Sequence, residues 1–194
     1  MMVAQTNTPR LKTLYKEEVA AKALSEFGLK NRHQLPVVEK VIVNCGIGRF
    51  LENQKLKPEI RDTVYDTLTT ITGQRPIMVM ARKSVSNFKV REGAPSAIMV
   101  TLRSNHMWHF LDRLINLAIP RIKDFRGVRD SSFDNAGSYG MGLTEQAVWP
   151  EINMARVNFT HGMNINICFR NSDPARSLFV LKELGMPFVR KDES

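Results

Sequence analysis

Four local patterns in this 194-residue chain contain residue types that chemistry uses. Cys45-Gly46-Ile47-Gly48 follows a Val/Ile-rich run, as the glycines of a dinucleotide fingerprint would. The third glycine of that fingerprint should fall at position 51, which is Leu51. Without it a helix cannot pack close enough to offer its N-terminus to a pyrophosphate. Ser86-x-x-Lys89 has the spacing of a serine-hydrolase pair, but neither Ser-Asp-Asn nor Lys-Thr-Gly follows it. His106 and His109 stand one helical turn apart with no third ligand at a recognisable spacing. No two carboxylates share an apolar setting where one could hold a proton at neutral pH. These patterns point to no enzyme, no cofactor and no metal.

The fourth pattern is Ala81-Arg82-Lys83-Ser84-Val85-Ser86-Asn87-Phe88-Lys89-Val90-Arg91-Glu92-Gly93. Its cations alternate with hydroxyls, an amide and one aromatic ring, the mixture that phosphate and base contacts require. Residues 75–129 carry eleven Lys and Arg against three Asp and Glu, so they hold eight of the chain's net +9 charge. Elsewhere seventeen cations meet sixteen anions. A nearly neutral body with one basic segment is built to meet a polyanion. A membrane surface would need an amphipathic helix with a cationic side. The helix expected at 105–119 offers only Arg113, beside Asp112. With no run of eighteen apolar residues either, no membrane partner is expected. Cys45 and Cys168 lack a paired spacing and read as plain thiols.

These groups need a frame. The length suits one domain over residues 1–194, with residues 1–9 as a flexible start. Leu11, Tyr15, Val19, Ala23 and Phe27 recur every fourth residue and predict a helix over 10–27. A second helix, 58–72, starts with Pro58 and stops at Gly73. A third covers 105–119, and a fourth follows Asp173 and Pro174. Strands are expected at 38–46, 76–82, 97–103 and 162–170, with residues 82–95 as a projecting basic loop. Residues 121–154 read as one long irregular stretch. Along 163–170 Met163, Ile165, Ile167 and Phe169 alternate with Asn164, Asn166, Cys168 and Arg170. The same alternation sets Thr101 and Arg103 against Ile98, Val100 and Leu102, and Lys40 and Asn44 against Val41, Val43 and Cys45. The fold class is therefore α+β: a largely antiparallel sheet with helices on one face and an open polar face. Such a face is either merely solvated or a binding surface, and the neighbouring basic loop favours binding.

Several strings in order add a resemblance. They are Ile71-Thr-Gly-Gln-Arg-Pro76, Ala81-Arg-Lys-Ser-Val85, Phe88-Lys-Val-Arg91, Val100-Thr-Leu-Arg103, Met107-Trp108, Ile119-Pro-Arg-Ile-Lys-Asp-Phe-Arg-Gly127, Ser132-Phe-Asp134, Tyr139-Gly-Met-Gly142 and Pro150-Glu-Ile152. Together they resemble the fifth protein of the bacterial large ribosomal subunit, from about Tyr15 to Phe188. The first dozen residues and 153–161 do not share the pattern. The resemblance implies a topology akin to RNA-recognition domains and a structural role in the large subunit. It implies 5S rRNA held in the central protuberance by the sheet face, with Asn44, Gln74 and Thr101 as contacts; Lys40, Arg103, Asn164 and Asn166 join them by their place in the strands. It implies that the basic loop, through Arg82, Lys83, Ser84, Asn87, Lys89 and Arg91, reaches the P-site tRNA. It further implies 23S rRNA as a partner, a bridge to the thirteenth protein of the small subunit near residues 129–143, and a bacterial cytoplasmic ribosome, with an organelle left open. From the residues alone, a regulatory RNA-binding module acting off the ribosome stays open, and a nucleotide-dependent enzyme is the remote third reading.

Overall fold

The computed structural model describes residues 8–52, 55–88, 90–157 and 159–189. Of the expected flexible start, residues 1–7 lie outside these. Contacts divide the chain into two compact units, each assembled from separate segments. The first holds residues 1–40, 103–139 and 167–194, and the second holds 41–102 and 140–166.

The strands are β1 (Val37–Gly46), β2 (Leu51–Glu52), β3 (Lys55–Leu56), β4 (Ile77–Met80), β5 (Pro95–Leu102), β6 (Tyr139–Leu143) and β7 (Met163–Arg170). Five of them form an antiparallel sheet in the order β4-β5-β1-β7-β6. A separate two-residue ladder pairs β2 with β3. The α+β class with an antiparallel sheet is thus as the alternation predicts.

In the second unit, helix α3 (Pro58–Thr72) packs against β5 and buries Val64, Leu68 and Ile71. Pro58 opens it where a missing N–H costs nothing, and Gly73 closes it at φ 67°, its N–H bonding Thr69 O at 2.8 Å. Val41, Val43 and Cys45 of β1 and Ile98, Val100 and Leu102 of β5 are buried on the strands' inner side. The first β1 residues depart from simple alternation, because buried Val38 and buried Val41 are three positions apart.

In the first unit, one long helical stretch reads α1 (Arg10–Leu14), a π-helical turn (Tyr15–Val19) and α2 (Ala20–Glu26). It packs against α4 (Ser104–Arg113), which also runs into a π-helical turn, Leu114–Ala118. The Tyr15 ring packs 5.6 Å from that of Trp108 at a 36° tilt, and its hydroxyl donates to Pro36 O at 2.8 Å, so the buried hydroxyl has a partner. Helix α5 (Pro174–Glu183) starts on Asp173, whose carboxylate accepts from the Arg176 N–H at 2.8 Å.

Three strands depart from expectation: the two-residue β2 and β3, and β6. β6 lies inside the stretch read as irregular, because Tyr139-Gly140-Met141-Gly142-Leu143 holds two glycines, which weaken any strand pattern. Among the described residues no helix is long and apolar enough to cross a membrane.

Candidate nucleic-acid interface

Strand register decides which side chains share a face. Asn44 sits opposite Met99, and Met99 opposite Ile77, so these three form one row across β1, β5 and β4. Ile42 and Thr101 form the next row. Facing residues in a ladder point to the same side of the sheet. Since Val43 and Val100 face the core, these rows face away from it. Asn44 and Thr101 therefore lie where the alternation places them. The face is mixed, however, rather than uniformly polar: Ile42 and Met99 are half-buried and Ile77 is 58% exposed. Alternation fixes which residues leave the core, and says nothing about their polarity. An exposed aliphatic row between amides and hydroxyls suits the apolar faces of sugars and bases.

Gln74 follows the left-handed Gly73, and its side-chain Nε2 donates to Thr101 O at 3.3 Å. Thr72 Oγ1 pins the same corner, donating to Leu68 O at 2.6 Å and Gln74 O at 3.1 Å. The fold thus brings Gln74 and Thr101 together, although they are 27 positions apart. Lys40 is half-buried in β1. Arg103 is exposed, and its Nη1 lies 3.4 Å from Glu39 Oε1, so part of its charge is already met by a carboxylate.

Asn164 and Asn166 are exposed between the buried Met163, Ile165 and Ile167. Their carboxamides lie against the glycines of β6. A Cβ on Gly140 would stand 3.1 Å from Asn166 Oδ1, and one on Gly142 3.4 Å from Asn164 Oδ1. A side chain at position 140 would be tight against the Asn166 carboxamide, whereas one at 142 would make ordinary contact with that of Asn164. Nothing in either strand read alone signals this pairing, which joins residues over twenty positions apart.

The basic segment is more ordered than a loop. Ala81 N donates to Ala94 O at 2.8 Å, and Gly93 N to Ala81 O at 2.9 Å. Further out, Val85 and Val90 exchange both backbone hydrogen bonds, at 2.9 and 3.2 Å, across a 3₁₀ turn at Ser86–Phe88. The segment is a paired tongue that extends the β4–β5 hairpin. Ser84, expected to touch tRNA, uses its Oγ to accept from Glu92 N at 2.9 Å, so it holds the tongue's two sides together. Arg82, Lys83, Asn87 and Arg91 are exposed. No ion pair among the described residues involves Arg82 or Lys83. Lys89 lies outside the described residues.

Beneath the end of β1 lies a buried polar cluster that sequence reading missed. Cys45 Sγ donates to Gly162 O at 2.8 Å and lies 3.0 Å from His161 Nδ1. His161 N donates to Gln146 Oε1 at 2.7 Å, and Gln146 Nε2 to Phe159 O at 2.9 Å. Burial pushes the Cys45 thiol up to about 12 and lowers the His161 imidazole, the Gly162 carbonyl opposing that lowering. Thiol and ring are both neutral, and the cluster fastens 159–162 to β1. Gly46 and Gly48 lead into a 3₁₀ turn, Gly48–Phe50, with no helix to receive a phosphate. His106 and His109 are exposed on α4, and no group of three or more potential metal ligands occurs among the described residues.

Neutral hydrogen-bonding groups on an open sheet, beside a cationic tongue, define a class: an α+β protein whose surfaces face a polyanion. Comparison with known proteins narrows the class. The family model for ribosomal protein L5 matches residues 31–91, and the model for the C-terminus of the same ribosomal family matches residues 95–188. The large ribosomal subunit protein uL5 of Synechocystis sp. is 47% identical over 181 residues, covering 93% of this chain and 98% of the relative. That of Streptomyces coelicolor is 46% identical over 186 residues, covering 96% and 98%. The protein uL5c of Chlorokybus atmophyticus is 43% identical over 182 residues, covering 94% and 96%. The chain belongs to the ribosomal protein L5 family. It is a structural, non-enzymatic constituent of the large ribosomal subunit that works in translation with ribosomal RNA as its partner.

Proposed function

We propose that this chain anchors 5S rRNA in the central protuberance through the open sheet face, and touches the P-site tRNA through the tongue. Asn44, Gln74, Thr101, Asn164 and Asn166 supply the neutral contacts to 5S rRNA. Lys40 and Arg103 add charge, Arg103 at reduced strength because of Glu39. The observation that carries this reading is the clasp of Gln74 onto Thr101 beside the Asn44 row. Donors and acceptors held in fixed positions read a folded RNA that stays bound. The tongue's Arg82, Lys83, Asn87, Lys89 and Arg91 meet tRNA phosphates, which carry no sequence information, so any tRNA is accepted. Ser84 supports the tongue from within. On the same reading, 23S rRNA is a further partner, residues 129–143 meet the thirteenth protein of the small subunit, and the ribosome is that of a bacterial-type cytoplasm.

Asn44→Ala and Thr101→Ala are each expected to weaken binding of purified 5S rRNA by about 1–2 kcal/mol, the cost of a lost polar contact. Titration of the full chain with labelled 5S rRNA measures this, with thermal melting as the check on folding. Wild-type affinity in both variants would remove the sheet face from the reading.

A further inference from the structure

Six large apolar side chains stand in solvent among the described residues, and four of them lie on one arm: Ile77, Met80, Val85 and Phe88. Phe88 is the extreme, 79% exposed at the end of the tongue. None of the ring contacts among the described residues includes it. Left in water, such a ring forgoes the gain of burying its apolar surface. A slack loop could recover that gain by folding the ring back onto apolar surface. This tongue cannot do so freely, because the Ala81–Ala94, Gly93–Ala81, Glu92–Ser84 and Val85–Val90 hydrogen bonds hold both its sides. The ring is thus kept at the tip of a cationic arm, with exposed Arg82, Lys83 and Arg91 behind it.

We propose that Phe88 stacks on an unpaired nucleobase of the tRNA that the tongue meets, so that the contact has a base-stacking part as well as a phosphate part. The proposal rests on the tongue's assignment to tRNA and deepens it. Charge selects the partner class. An apolar ring at the tip of a cationic arm fits a ligand with a flat π face set inside a phosphate frame, which is a base splayed out of a folded RNA. A protein partner would need an acidic rim, and a bilayer would need more than one inserting side chain. Every base has such a face, so stacking, like phosphate contact, accepts every tRNA.

The test uses ribosomes assembled with full-length variants, measuring deacylated tRNA binding to the P site across a salt series, together with base-specific chemical probing of the tRNA. Phe88→Ala should weaken binding about fivefold to a hundredfold, leave the salt slope unchanged and open one tRNA base to modification. Phe88→Trp should bind at least as tightly as the parent. Arg82→Gln with Lys83→Gln should instead flatten the salt slope and leave that base protected. Phe88→Leu binding as tightly as the parent would overturn stacking, since an aliphatic chain has no π face; so would parental behaviour of Phe88→Ala. If the double glutamine variant alone shows an effect, the tongue keeps its tRNA and the stacking proposal falls. If neither variant shows one, the tRNA assignment falls too.

Discussion

The open sheet and the tongue are joined through β4 and β5, yet they are chemically opposite. The sheet offers mostly uncharged groups in fixed register, with Lys40 and the Glu39-paired Arg103 as its cations: Asn44, Thr101 with Gln74 clasped to it, and two asparagines set beside glycines. The tongue offers full charges on long side chains and one bare ring. Neutral hydrogen bonds depend steeply on distance and angle, so they reward a partner of one shape. Charges act over about a Debye length and tolerate misfit, but salt weakens them. On the proposed reading a permanent partner and an exchanging one make these two demands, and the two surfaces would answer them separately.

The largest effect should come from filling the space beside an asparagine. Gly140→Val places a branched side chain where Asn166 Oδ1 sits 3.1 Å from the new Cβ. Displacing that carboxamide should cost 5S rRNA binding about 2 kcal/mol through lost and misdirected hydrogen bonds. P-site tRNA binding by ribosomes that retain the variant should not change. A parallel loss of both would break the division between the two surfaces. Next comes the charge on the tongue. Neutralising Arg82 and Lys83 should lower the salt slope of tRNA binding by about 1.4–1.8, with 5S rRNA affinity unchanged in a filter-binding assay. A drop in 5S affinity would put the tongue on the wrong RNA.

The smallest effect concerns the support under the sheet. The lowered pKa of His161 means that the unfolded chain takes up this proton more readily than the folded one. Its contribution is therefore fully present above the ordinary histidine pKa of about 6.5 and declines as pH falls below that value. Urea unfolding of the parent and His161→Gln over a pH series should show this decline in the parent and a flatter profile in the variant. Equal slopes would mean that His161 does not couple protonation to the stability of this support.

Much of this was legible in the residues. The span of α3 follows from Pro58, Gly73 and the four-residue spacing between them, and the structure reproduces it residue for residue. The alternation in β7 and β5 was equally clear, because buried apolar residues recur at every second position from Met163 to Phe169 and from Ile98 to Leu102. β6 was hidden for the opposite reason. Its two glycines lie against asparagines of another strand, and their weak strand propensity argued against a strand. The π-helical turns at Tyr15–Val19 and Leu114–Ala118 keep the ordinary apolar spacing and leave no local sign. The tongue's pairing rests on backbone hydrogen bonds of a few Ala, Gly and Val residues scattered among charges and hydroxyls, a composition that reads as loop. Of the site, the polar members were visible by type. Ile77 and Met99 were not, because an apolar residue is read as core until register and exposure show otherwise; Phe88 stood out as the one aromatic of the basic segment, and only the extent of its exposure was hidden.

The buried cluster at the end of β1 also decides how the protein meets oxidants and alkylating reagents. Thiolate is the reactive form of cysteine, and Cys45, sealed from solvent with its thiol pushed up to about 12, is almost never in that form. Cys168, half-buried two positions beyond Asn166 on β7, is the thiol within reach. A maleimide dye offered to the folded chain therefore has a single address, close along the strand to the proposed RNA surface, with no residue engineered to receive it.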